Sequence, residues 1–245
     1  MSLLPSKKIL VDLTHNEEVE SLPDYIFPED YEFEELEEGP ITTDILSDYD
    51  LLVIGNPLLD ETKKEFFFTK EEVLAIKKFV ARGSSLLLAS GAGGDRDLKR
   101  VTGSIRVLFT ITGVTRFWNG MLHDEQHCLI DPENLLIDRF PKHWITRNLK
   151  NVVFSEATFL DVADTAKQLI YTDETANFKY STDGAVDNVG NVPIMACSEF
   201  MRGRTVTLGC SRIFSEDADW GIEVKENKNF LRKVFSWLLF EDESV

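Results

Sequence analysis

Thr69-Lys70-Glu71-Glu72-Val73-Leu74-Ala75-Ile76-Lys77-Lys78-Phe79-Val80-Ala81-Arg82-Gly83-Ser84-Ser85-Leu86-Leu87-Leu88-Ala89-Ser90 is the stretch that decides the fold. Thr69 precedes Glu72 at capping-box spacing, where each side chain binds the other's backbone N–H. Val73, Ile76, Phe79 and Val80 then recur at three- and four-residue steps, one face of a helix that stops at Gly83. Leu86 to Ala89 is apolar without interruption and too short for a helix, so it reads as a strand buried on both faces. Asp50-Leu51-Leu52-Val53-Ile54-Gly55 reads the same way and ends at Asn56-Pro57. Buried strand, amphipathic helix, buried strand is the signature of an α/β protein: a mostly parallel sheet with helices on both faces.

Working outward, Ile9-Leu10-Val11 is a first buried strand ended by Asp12, and the polar run from Asp12 to Glu20 is a loop that opens a short helix. Glu29 to Glu38 holds seven carboxylates in ten residues, yet Tyr31 and Phe33 alternate with Glu32 and Glu34. The period of two favours a half-exposed edge strand over Tyr31 to Leu36 against a disordered tract, and its charges discourage edge pairing. Ile41 to Leu46 reads as a short helix capped by Thr42 or Thr43. The parallel core thus spans about 7–115. Leu98 to Val114 reads as one or two helices, Gly113 to Asp131 as irregular, and Leu135 to Phe140 and Trp144 to Leu149 as apolar turns.

From Val152 to Leu208 the period shifts toward two, with turn signals at Asp183-Gly184, Asn188 and Gly190-Asn191. This predicts a β-rich extension, about 150–210, whose antiparallel strands extend the parallel sheet in the C-terminal half, with a tight hairpin at Met201 to Arg204. An amphipathic helix closes the chain at about 227–240. With no repeat and no linker, residues 1–245 are expected to form one domain.

The chain has 26 Lys and Arg against 43 Asp and Glu, a net charge of −17. That balance excludes nucleic acid as the main partner, since duplex binding rests on basic side chains. No apolar run approaches the roughly 20 residues of a membrane span, and the start lacks a signal-peptide core. Cys128, Cys197 and Cys210 are too few and scattered for a disulfide framework, and the expected setting is cytoplasmic. Ten carboxylates fall in Glu29 to Glu38 and Glu241 to Glu243, so the acidity is local and a basic partner is expected at that edge.

In such a sheet, ligands bind beyond the carboxyl ends of the strands. The rim residues are Asp12, His15, Asn56, Ser90, Gly91, Gly93, Gly94, Asp95 and Cys210-Ser211-Arg212. Asp12 and His15 make a carboxylate–imidazole pair, either a structural hydrogen bond or the elements of general acid–base or metal chemistry. Gly91 to Asp95 matches neither a dinucleotide fingerprint nor a P-loop, and Asp95 would repel phosphate. His123 and His127 are four apart without the glutamate of a zinc-protease motif, which favours an exposed loop. Neither Ser90 nor Cys210 sits in a nucleophile elbow. No cofactor and no metal are expected. Phe66-Phe67-Phe68 belongs either to the core or to an interface, so a homo-oligomer is compatible.

The run Phe68-Thr69-x-x-Glu72 through Gly83-Ser84-Ser85-Leu86-Leu87-Leu88 into Gly93-Gly94-Asp95 resembles the GIFT-type domain shared by gliding-motility transporter auxiliary proteins and an intraflagellar-transport complex B subunit. Asp50 to Pro57 is similar to the preceding strand of that family, and Glu199 to Gly209 with Asn229 and Trp237 to its closing strand and helix. The resemblance implies a flavodoxin-like, class I glutamine amidotransferase-like fold without the amidotransferase Cys-His-Glu triad; Ala92 or its neighbours stand where the nucleophile would be. Ser84 replaces the usual second glycine, and Arg96 to Arg100 replaces an asparagine-rich segment. The family implies a non-catalytic binding or scaffold module with a protein partner or a small neutral, possibly sugar-like, ligand at Asp12, His15, Asn56, Gly91, Gly93, Gly94 and Asp95. The alternative is a hydrolase or amidase-like enzyme using Asp12 and His15.

Overall fold

The computed structural model describes residues 6–15, 17–18, 31–57, 68–91, 108–217 and 219–244, with the backbone alone for 17, 18, 56, 57, 243 and 244. The strands are β1 Lys7–Asp12, β2 Glu17–Glu18, β3 Tyr31–Leu36, β4 Leu51–Ile54, β5 Asn56–Pro57, β6 Ser85–Ala89, β7 Val114–Phe117, β8 Gly120–His123, β9 Cys128–Leu129, β10 Asp131–Ile137, β11 Val152–Ser155, β12 Leu160–Val162, β13 Lys167–Tyr171, β14 Asn177–Tyr180, β15 Val186–Asn188, β16 Pro193–Phe200 and β17 Gly203–Leu208. The α-helices are α1 Thr43–Leu46, α2 Lys70–Ala81, α3 Phe109–Thr112 and α4 Asn227–Leu238.

Seven strands form the main sheet in the order β13-β16-β17-β6-β4-β1-β3. β3, β1, β4, β6 and β17 run parallel, while β16 is antiparallel to both β17 and β13. Taken by sequence rank, the five parallel strands have the flavodoxin-like order 2-1-3-4-5. Successive residues of a strand point to opposite faces, and the parity is kept across the sheet. Ile9, Val11, Leu51, Val53, Leu87, Ala89, Val206 and Leu208 enter one core with Phe230, Leu231, Val234 and Phe235 of α4. Leu10, Leu52, Ile54, Leu86 and Leu88 enter the other with Ala75, Ile76, Phe79 and Val80 of α2. Burying each such phenylalanine stabilises the fold by roughly 2–3 kcal/mol.

Thr69 caps α2 reciprocally with Glu72, and Thr42 caps α1 by accepting from the Ile45 N–H. β3 is the edge strand that its alternation predicts: Tyr31 and Phe33 pack near Phe235, while Glu32, Glu34 and Glu35 are exposed. The Phe200–Gly203 hairpin turns through Met201, whose φ of +56° lies in the left-handed region.

Several expectations change. Gly113 to Asp131 is not irregular but supplies β7, β8 and β9, and Leu135 to Ile137 is strand rather than turn. Their partners are distant in sequence: Gly120 pairs with Tyr180, Phe117 with Leu160 and Leu135 with Phe154. Of the antiparallel strands only β13 and β16 extend the main sheet; the others build small sheets that cover its faces. Of the helical stretch expected over Leu98 to Val114, residues 98–107 lie outside the described residues and Phe109–Thr112 is helical. Glu17–Glu18 pairs antiparallel with Asn56–Pro57 in place of opening a helix.

Candidate functional site

In a doubly wound sheet the crevice lies where strand order reverses, beyond the carboxyl ends of the strands. Here the reversal falls between β1 and β4. Asp12, the last residue of β1, points there and is fully buried. Its Oδ1 accepts the Thr14 N–H at 3.1 Å and the Thr14 hydroxyl at 2.8 Å, which ties the turn back onto its own strand end. Its Oδ2 meets His15 Nδ1 at 2.7 Å. The imidazole lies against Phe68, ring centroids 4.3 Å apart, and turns Nε2 toward Glu72 Oε1 at 3.4 Å.

Glu72 is 3% exposed and holds three further groups. Oε2 accepts the Thr69 N–H at 2.7 Å and the Thr69 hydroxyl at 2.8 Å, and Oε1 accepts the Ile41 N–H at 3.1 Å. One carboxylate thereby joins the N-terminus of α2, the segment before α1 and the loop after β1. Sequence reasoning found Glu72 as a cap and missed it as a site residue. The signal was present: a helix that follows a parallel strand begins at the carboxyl rim, so its capping residue belongs to that rim.

Burial disfavours the charged imidazole and is the largest single influence on His15, acting to lower its pKa. The hydrogen bond and charge of Asp12, followed by those of Glu72, together outweigh burial and raise it above 6.5. The ring therefore binds a proton more readily than a free histidine, caged between two carboxylates. Those carboxylates stand on opposite sides of the ring and do not converge on one point. Among the described residues, no group of three or more His, Cys, Asp and Glu side chains is arranged to hold a metal ion.

The other rim residues divide. Asn56 pairs through its backbone with Glu18. Gly91 follows buried Ser90 at the end of β6 and runs beside the Ser211 side chain and the Glu156 carbonyl. Glu156 adopts φ +47° and pairs with Arg212 at 3.1 Å, and the Arg212 guanidinium stacks 4.9 Å over Trp220. Gly209, just past β17, packs against the Thr158 carbonyl so closely that a side chain there would overlap it. Gly93, Gly94 and Asp95, with Ala92 and Arg96 to Arg100, lie outside the described residues, as do Phe66 and Phe67; Phe68 is buried in the core.

The same fold occurs in known structures. The N-terminal domain named mmIFT52 is 22% identical, with 94% of this chain and 97% of that chain covered at a TM-score of 0.72. A ThuA-like protein from Bacteroides uniformis is 16% identical, with 100% and 96% covered at 0.59. A β-galactosidase from Rahnella sp. R3 is 11% identical and matches 95% of this chain over 31% of its own, at 0.56. At these identities the likeness is one of fold. No family model matches the sequence, and no curated protein matches it.

Two of the three cysteines, Cys197 and Cys210, are buried. Cys210 is fully buried, its thiol donates to the Ser155 carbonyl at 3.1 Å, and burial pushes its pKa up to about 12. Burial likewise pushes Cys197 up to about 12, and its sulfur lies 4.0 Å from His143 Nε2, a ring that burial holds near 4. Both thiols are protonated and His143 is neutral around neutral pH, so no thiolate–imidazolium pair forms there. The His123 to Cys128 segment differs from the exposed loop expected of it. Asp124 is 1% exposed and its carboxylate accepts the Gln126 and His127 N–H groups and the Thr175 hydroxyl. No helix of the described residues is long and apolar enough to cross a membrane.

Proposed function

We propose that residues 1–245 act as one non-catalytic binding or scaffold domain of GIFT type, whose strand-end rim meets a protein partner in a cytoplasmic setting. The observation that carries this is the state of His15. Asp12 faces Nδ1 and Glu72 faces Nε2, so the imidazole is used to join β1, α2 and the segment before α1. A general base needs a nitrogen turned toward the proton it removes. The buried, protonated thiols of Cys197 and Cys210 support the same reading. The fold-level likeness to the mmIFT52 N-terminal domain agrees with the resemblance drawn from the run of Phe68 through Leu88 into Gly93-Gly94-Asp95.

On this reading Asp12, His15 and Glu72 shape the rim, and Asn56, Gly91, Gly93, Gly94 and Asp95 are the residues proposed to bind the partner. The test is an amide- and ester-hydrolysis panel on wild type and His15→Ala, combined with affinity capture by wild type and Asp95→Ala. The expected result is no turnover in either protein and a discrete partner retained by wild type and lost by Asp95→Ala. Turnover by wild type that disappears in His15→Ala would establish the hydrolase alternative instead.

A further inference from the structure

A second concavity lies on the far side of the sheet. β13 forms the edge opposite β3, with β16, β17 and β6 between it and the β1–β4 junction. The ends of β10 and β13 enclose a cavity of about 270 Å³ whose walls include Asp138, Arg139, Phe140, Tyr171, Asp173 and Asn191. That is near the lower limit for small-ligand pockets and suits a single side chain.

Its acceptor is fixed. The Asp173 side chain is 14% exposed, and Oδ1 accepts the Glu174 N–H at 2.7 Å. The Asp173 carbonyl accepts the N–H groups of Ala176 and Asn191, so the backbone that carries the carboxylate is pinned as well. Oδ2 faces His127 Nε2 at 3.8 Å, and His127 is braced by the Thr175 hydroxyl, which also donates to buried Asp124. Its donor is not fixed. Arg139 Nη1 lies 3.3 Å from Asp173 Oδ2, but the Arg139 side chain is 75% exposed. An ion pair with one partner so exposed contributes little, because solvent screens it and the long side chain loses freedom on pairing.

A held carboxylate, a loosely held guanidinium and two aromatic walls form a cation site with an internal occupant. We propose that this cavity receives the guanidinium of an arginine on a basic protein partner, and that Arg139 is the placeholder it displaces. Asp173 Oδ2, the oxygen that Arg139 approaches, is the acceptor for an incoming guanidinium, with Oδ1 held by the Glu174 N–H. Phe140 and Tyr171 line the cavity, and aromatic side chains attract a delocalised cation. Asp138 adds a second carboxylate, so with Arg139 swung out the walls carry two negative charges and no positive one. The net charge of −17 draws basic partners toward the protein as a whole.

The test is titration of the intact chain with N-acetyl-arginine amide and with its citrulline counterpart, which is neutral and nearly isosteric, followed by backbone NMR shifts. The expected result is saturable shifts at residues 138–140, 171–173 and 191 for the arginine probe and none for citrulline. Arg139→Ala is expected to bind the arginine probe about two- to fivefold more tightly, since it removes a weak internal competitor. Asp173→Asn is expected to bind it about tenfold more weakly. Arg139 is exposed, so its variant folds and keeps the proposal exposed to failure. Equal binding of citrulline, weaker binding by Arg139→Ala, or no shifts at all would each overturn it.

Discussion

The molecule contains the pattern Asp-x-x-His twice, at Asp12 to His15 and at Asp124 to His127. In both, an aspartate Oδ2 faces the imidazole Nδ1, at 2.7 Å in the first and 3.5 Å in the second. In both, the aspartate is buried and its Oδ1 binds backbone N–H groups of the turn that follows. The difference lies in the third partner. The Glu72 carboxylate closes the first cluster from the opposite side of the ring, and the His15 side chain is 8% exposed. A threonine hydroxyl lies on both aspartate and Nδ1 in each cluster: Thr14 of the turn itself at 2.8 and 2.9 Å in the first, and Thr175 from elsewhere in the chain at 2.7 and 3.0 Å in the second. In the second no other carboxylate closes the ring so tightly, and the His127 side chain is 34% exposed. The spacing makes the pair, and a residue brought from elsewhere decides whether it becomes an ion cage or a braced turn.

The most severe way to break this contrast is to remove the third partner. Glu72→Ala deletes the bonds to Thr69 and Ile41 and leaves His15 with one carboxylate. A lost cap together with a broken buried pair is expected to cost about 3 kcal/mol in chemical denaturation. Thr175→Val in the other cluster is expected to cost about 2 kcal/mol, the scale of one hydrogen bond to a charged acceptor.

Double-mutant cycles sharpen the comparison next. Coupling between Asp12 and His15 is expected at about 1–2 kcal/mol, and between Asp124 and His127 below about 0.5 kcal/mol, because a partly exposed ring at longer range is screened. Equal coupling energies would remove the distinction.

The smallest effect is in pH dependence, where the two clusters have opposite signs. His15 is held above 6.5, so its stabilisation is complete below 6.5 and is lost as pH rises through the folded-state value. Burial pushes the Asp124 pKa up, but the Thr175 and backbone hydrogen bonds outweigh it, so the carboxyl is held below 3.8. Its stabilisation is complete above 3.8 and is lost as pH falls through the lower, folded-state value. The stability gap between wild type and His15→Gln should therefore narrow in alkali, and the gap to Asp124→Asn should narrow in acid. Urea midpoints across the pH range measure both.

The parallel half was legible because its signals are local. The alternation of Tyr31 to Leu36, the apolar blocks at Leu51 and Leu86, and the Thr69–Glu72 box each act within about six residues. The small sheets were half legible: β11, β12, β14 and β15 fall in the stretch that reads as β-rich, whereas β7 to β10 earn that state from partners elsewhere along the chain. Gly120 to His123 contains no β-branched residue, and it becomes a strand by pairing with Asn177 to Tyr180. Pro132 disguises β10, where the ladder register shifts between Asp131 and Leu135 and absorbs the missing N–H. At the rim, the proximity of Asp12 to His15 was readable from their spacing. The burial of Glu72 beside them was not, since a capping box has the same sequence whether its glutamate faces water or protein.

Tyr31 donates its hydroxyl to Glu241 Oε2 at 2.8 Å, which sets the acidic edge strand beside the last turn of the chain. Two runs of carboxylates some 200 residues apart in sequence thus share one flank, with Lys8 on Glu32 and Arg204 on Asp242 as counter-charges. Such a flank gathers an ionic atmosphere. Going from 0.01 M to 0.15 M salt shortens the screening length from about 30 Å to about 8 Å. Raising the ionic strength is therefore expected to screen the repulsion between the two runs and to steady the turn at Glu241 to Ser244 against the β3 edge.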